Sequence, residues 1–345
     1  MTNNKSLSKG PAAEESLRSY FKSIGYFVVR GVGFEYSGYM LTDVDLWLYL
    51  KESTIARTRI NVDIKRKKTP QAMERIFWTK GLQDALGLDS CIVATTDQRS
   101  ETIQFGRAHN VTVLDGKFMQ RVMSYGPEKY SRITEESYEV LLDQVSMIES
   151  SINFRNEYKK VKRLLLSDLN FNGCNIFLNK QRLLLDEYIL DSTTKESALR
   201  LLYVVISYFL ITLDFASRNF AYRESEERSK EIFEGFTYGE SGKKRVDEIM
   251  KVAISLVEQS TSGDLSIKNN LKNEINKQLV GYPSNILVEH FSKSDNLKNL
   301  FGDARQFEAF GFAQKLVLPK NLDTRLKGLI AVLCDFFKLD RKKII

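Results

Sequence analysis

The chain has 345 residues, 43% hydrophobic and 28% charged, which excludes a disordered or fibrous polymer and leaves room for about two domains. Lys and Arg total 51 against 44 Asp and Glu, and the net charge of +7 suits an anionic partner without requiring one. Three scattered cysteines (Cys91, Cys174, Cys334) and two histidines (His109, His290) support neither a disulfide framework nor a zinc site, and they leave no material for a multi-histidine centre.

Residues 1–10 are polar and lack the apolar segment of a secretory signal. Residues 14–24 place Leu17, Phe21 and Ile24 at helical spacing, and Gly25 stops the helix. A short strand is expected over 26–30, then a loop punctuated by Gly31, Gly33 and Gly38. Residues 43–50 alternate: Val44, Leu46, Leu48 and Leu50 share one face, and Asp43, Asp45, Trp47 and Tyr49 share the other. After a polar turn at 51–56, residues 57–65 alternate again, with Ile60, Val62 and Ile64 opposite Arg59, Asn61, Asp63 and Lys65. A helix follows at 71–86, a buried strand at 90–95, a helix at 101–109 and a strand at 111–114. This order, α-β-β-β-α-β-α-β, predicts an α/β fold with a mixed sheet and helices on its faces.

Beyond residue 130 the periodicity turns helical, near 134–149, 153–167, 179–191, 195–220, 245–260, 265–279 and 322–337, with polar loops such as 234–244 between. The most apolar stretch, 201–213, has 13 residues where a bilayer span needs roughly 20, so it reads as a buried helix. The expected organisation is an α/β domain over 1–128 and a mostly helical domain over 129–345, in a soluble, cytoplasmic protein with no membrane association. Residues 1–130 carry 19 Lys/Arg against 14 Asp/Glu, and the remainder carries 32 against 30, so most of the basic excess lies in the α/β part.

Chemistry concentrates on two adjacent strands. Asp63 and Lys65, two apart on one strand, project to the same face. Asp45 lies on the non-aliphatic face of the preceding strand, and if the two strands pair as a hairpin the three groups converge. Two carboxylates about one point suit a hard Mg²⁺ ion, for which Mn²⁺ can substitute. A lysine beside them can orient or deprotonate a water, or neutralise charge developing on a phosphate. The plain alternative is a solvated strand face with a cross-strand ion pair. Other acid-x-Lys triplets, at 157–159 and 340–342, lie in a charged helical stretch and at the C-terminus; only Asp63-Ile64-Lys65 ends an alternating strand behind a partner with its own internal acid.

The segments EESLRSYFKSIGYFVVR, TDVDLWLYL, RINVDIKRKK, ERIFWTKGLQDALGL, CIVATT and AHNVTVLDG together resemble the PD-(D/E)xK nuclease superfamily, with similarity to its Mrr-like and Holliday-resolvase-like branches, over about residues 12–120. The resemblance implies a restriction-endonuclease-like fold. It implies Asp45 and Asp63 as metal ligands together with the Ile64 backbone carbonyl, and Lys65 as the catalytic lysine. Glu15 is implied as the assisting helix acid, with Glu14 the alternative according to helix phase. Lys80 and Gln83 fall where some branches place accessory polar residues. The sequence has Asp43 where the family's E-x-D pattern has glutamate, and it lacks the family's preceding proline.

Arg66, Lys67 and Lys68 extend from Lys65 and can hold phosphates flanking the scissile one. Trp47, Tyr49 and Trp78 can stack on bases, although packing is the plainer role for the two tryptophans. The expected function is a Mg²⁺-dependent DNA endonuclease in prokaryotic genome defence or restriction. The alternatives are a repair or recombination nuclease, cleavage of RNA, and a non-catalytic DNA-binding subunit of a larger complex. The helical region is expected to recognise DNA, bind a protein partner, form a homodimer or regulate.

Overall fold

The computed structural model describes residues 8–66, 71–124, 132–146, 152–190, 193–260 and 281–345, with a few positions between 269 and 277. The boundary expected at residue 128 and most of the helix expected at 265–279 lie outside the described residues.

Helix α1 (Lys9–Ser23) turns Ala13, Leu17 and Phe21, four apart, onto one buried stripe. It leads into strands β1 (Phe27–Tyr36), β2 (Tyr39–Lys51) and β3 (Arg57–Lys65), which pair antiparallel in sequence. Strand β1 runs ten residues, straight through the segment expected to be a loop. Gly31 adopts φ 61° inside the strand, a conformation open to glycine, and the actual turn is Ser37–Gly38, where both residues have positive φ. Two crossover helices, α2 (Ala72–Ala85) and α3 (Ser100–Ala108), place β4 (Ser90–Thr95) and β5 (Thr112–Leu114) parallel to β3. The sheet is mixed, in the order β1-β2-β3-β4-β5. A further helix, α4 (Gly116–Ser124), was not expected from the sequence.

The helical remainder comprises α5 (Glu135–Ser146), α6 (Phe154–Ser167), α7 (Phe171–Ile189), α8 (Lys195–Ser217), α9 (Ser225–Tyr238), α10 (Gly242–Ser260), α11 (Ser284–Phe291), α12 (Ser294–Gly311) and α13 (Thr324–Phe337). Asn153, Asn170 and Asp323 cap α6, α7 and α13 by accepting from backbone amides. Helices α9, α11 and α12 were missed in the sequence; α9 opens on a charged run, and α11 has only eight residues. Helix α8 is long and apolar enough to cross a membrane, yet it is buried within the protein between α7 and α12.

The two faces of the sheet are covered differently. On one, Leu46, Leu48, Ile60, Val62 and Ile64 pack against α1 and α4. On the other, α2 and α3 cover Cys91 and Val93, whereas Phe27, Val29, Trp47 and Tyr49 join the core of the helical remainder. Burial of Trp47 and Tyr49 there removes both from any role in base stacking. Buried ion pairs reinforce the junction. Asp214 on α8 accepts from Tyr49 Oη at 2.6 Å and Lys51 Nζ at 2.8 Å, and pairs with the buried Arg57 guanidinium. Glu135 on α5 binds Arg18 at 2.8 Å and Lys162 at 2.9 Å; although burial opposes its ionisation, these two cations hold its carboxyl at about 2.

Candidate active site

Strands β2 and β3 pair from Lys51↔Arg57 to Leu46↔Val62, beyond which β2 continues with β1 alone. Asp45 is thus the first residue past the end of that ladder, and its Oδ2 accepts a hydrogen bond from the Ile64 amide at 2.6 Å. Lys65 Nζ lies 3.9 Å from Asp45 Oδ2 and 3.8 Å from Asp63 Oδ1. The hairpin pairing therefore brings the three expected side chains to one point. Ile64 lies between the two β3 residues and pairs with Ala94 of β4.

This point borders a groove lined by Lys65, Gln71, Glu74, Arg75, Trp78 and Thr95. The groove opens where the parallel strands β3 and β4 end and the crossover to α2 leaves a crevice, the position at which open α/β sheets commonly bind ligands. Arg75, which carried no signal in the sequence, forks onto Asp63: its Nε donates to Oδ2 at 2.9 Å and its Nη2 donates to Oδ1. The guanidinium also lies 5.7 Å from the ring centroid of Trp78. Trp78 is 51% exposed, so its plainer reading as a packing residue is corrected: it forms part of the groove wall.

Burial pushes the Asp45 carboxyl up to about 7; the charges of Asp63 and Glu14 act in the same direction, while the Ile64 amide and Lys65 act against it. Glu14 is the helix acid whose charge reaches Asp45. Glu15 instead is buried and committed: it pairs with Arg18 and Arg30, each at 3.0 Å, and accepts from the Glu135 amide. One step around α1 directs it toward the helical part of the molecule. Arg30 also binds Glu14 and so links the two acids.

The remaining sequence candidates are spread out. Lys80 bonds Gln83 and Asp84 on its own helix, and the buried Gln83 donates to the Leu88 carbonyl. Both lie at the end of α2 remote from Arg75 and serve the turn into β4. Arg66 is exposed at the end of β3; Lys67 and Lys68 lie outside the described residues. His109 packs against Phe105 and Phe77 as a ring in an aromatic cluster.

Among the described residues no three His, Cys, Asp or Glu side chains form a closed metal cage. Asp45 and Asp63 instead form a pair of oxygen donors, with Asp63 held by Arg75 and one Asp45 oxygen by the Ile64 amide. Such a set fits a hard divalent cation that keeps most of its water, and a cation there would offset the burial that pushes the Asp45 carboxyl up. Compared with protein-family models, curated proteins and solved structures, the chain matches none of them.

Proposed function

We propose that this chain is a Mg²⁺-dependent nuclease that hydrolyses phosphodiester bonds in DNA, with a sheet of the restriction-endonuclease-like kind. The observation that carries this reading is Lys65 Nζ within 4 Å of two carboxylates from neighbouring strands, beside an open groove. The strand order and flanking helices are compatible with that fold.

Asp45 and Asp63 would hold the cation, with the Ile64 carbonyl beside them. Bound there, a divalent ion supplies Lewis-acid polarisation of the phosphate and lowers the pKa of a bound water. Lys65 places a positive charge where negative charge accumulates on phosphorus-bound oxygens as water adds and the P–O bond breaks. The Ile64 amide fixes the rotamer of Asp45 and so presents its other oxygen. Genome defence or restriction is the setting we favour, by analogy with the family the sequence resembles.

The test is cleavage of supercoiled plasmid in Mg²⁺ or Mn²⁺ by wild type and by Lys65→Ala, purified identically. We expect nicking or linearisation that EDTA abolishes and that the substitution lowers by about 10²–10³-fold, the size of effect seen when one charge-stabilising donor is lost. Cleavage retained in Lys65→Ala sinks the assignment. A second reading, a non-catalytic nucleic-acid-binding subunit, is favoured by the Arg75 fork, which satisfies Asp63 as a structural ion pair would. Salt-sensitive DNA binding without cleavage under any metal condition would select it.

A further inference from the structure

Arg75 engages both oxygens of Asp63, one through Nε and one through Nη2, and so occupies one lone-pair direction on each. The Asp63 side chain is only 11% exposed. A cation bound at Asp63 would share its two oxygens with the Arg75 guanidinium, and the repulsion between the two positive charges is relieved when the guanidinium withdraws. Withdrawal strands a charge unless another anion accepts it, and the planar fork that fits a carboxylate fits a phosphate equally well.

The surroundings supply the place for that exchange. Arg75 is 26% exposed and lines the same groove as Lys65, so a phosphate entering beside Lys65 meets Arg75 as well. The ring of Trp78 lies 5.7 Å from the guanidinium carbon and borders the same groove, so Arg75 keeps an aromatic neighbour on its groove side.

We propose that Arg75 is a substrate-responsive latch on the metal site: in the free protein it occupies Asp63, and in the complex it passes to a phosphate of the nucleic-acid backbone and releases Asp63 to the cation. This rests on the nuclease reading and assigns that site an order of events, substrate phosphate before full metal loading. It also makes Arg75 a substrate-contacting residue. Arg75 thus affects metal and nucleic acid in opposite directions, which a merely structural ion pair would not do.

The experiment measures both bindings on the full chain. Mn²⁺ affinity is read from the free-ion electron paramagnetic resonance signal, without nucleic acid, for wild type, Arg75→Ala, Arg75→Lys, Asp63→Asn and Arg75→Ala/Asp63→Asn. Affinity for a fluorescently labelled DNA duplex is read by anisotropy in EDTA. We expect Arg75→Ala to bind Mn²⁺ about tenfold more tightly and the duplex about tenfold more weakly than wild type, the factor that corresponds to a single charge-assisted hydrogen bond. Arg75→Lys, a point charge without the fork, should fall between on both axes, and it serves as the folded control.

Unchanged or weaker Mn²⁺ binding by both Arg75 variants, while Asp63→Asn lowers it, overturns the latch and leaves the metal site standing. Unchanged duplex binding in Arg75→Ala also overturns the latch. Equal Mn²⁺ binding by Arg75→Ala and by Arg75→Ala/Asp63→Asn removes Asp63 from the metal site, and the nuclease mechanism and the latch fall together.

Discussion

Asp45 shows how one position sets the chemistry. It is buried at the edge of a ladder, bonded to one amide, with Lys65 close by but beyond hydrogen-bond distance. Its carboxyl titrates at about 7, against roughly 4 in an unfolded chain, so the native state holds the proton more tightly. The stabilisation is therefore complete below about pH 4 and is lost as pH rises through 7, on the order of 3–4 kcal/mol in all. In EDTA, the urea midpoint of wild type should fall between pH 4.5 and pH 8, and Asp45→Asn should flatten that fall; equal slopes would refute the assignment. Asp45, Asp63 and Lys65 were legible because alternation fixes which strand residues share a face. Arg75 was not, because its partner lies twelve positions back across a crossover and no spacing rule links them. The Glu14/Glu15 choice likewise needed the phase of α1 against the sheet, which Arg30 and Glu135 set.

Among the elements, α8 and its neighbours show the strongest constraints. Asp214, with no exposed surface, receives Tyr49, Lys51 and Arg57 from two strands. Asp214→Ala leaves the buried Arg57 without a counter-charge and should cost about 3–5 kcal/mol, measured by urea denaturation at pH 7. A loss below about 1 kcal/mol would mean that water replaces the carboxylate. Helix α12 approaches α8 at Gly311, where a Cβ would lie 2.6 Å from Val204 Cγ2 and 3.0 Å from the Arg200 carbonyl. Gly311→Ala should destabilise by about 1–3 kcal/mol. Gly328 on α13 has open space for a Cβ, and Gly328→Ala should gain up to about 1 kcal/mol from helix propensity. Opposite signs in the two melting shifts are the outcome that supports this packing.

Over the whole molecule, the sheet is not covered by its own crossover helices alone. Phe27, Val29, Trp47 and Tyr49 belong to the same core as α5 through α8 and α11 through α13. A fragment of residues 1–128 should therefore expose these side chains, giving low solubility or strong binding of an apolar dye. A soluble fragment with native-like strand signals and no dye binding would show that the α/β part stands alone. The same junction ties α1 to the helical part, since Arg18 binds Glu135 while Arg30 holds both Glu14 and Glu15.

By itself the sequence determined the order of strands and helices through residue 114, the pairing of Asp45 with Asp63 and Lys65, and the burial of the apolar stretch in α8. These follow from local periodicity and from alternation, which act over a few residues. Only the tertiary structure decided that β1 extends through its glycines, that Trp47 and Tyr49 serve the core while Trp78 borders the groove, and that Arg75 holds Asp63. Those outcomes depend on which surfaces meet across long stretches of chain. Such meetings are set by packing and charge compensation in three dimensions, and no local pattern encodes them.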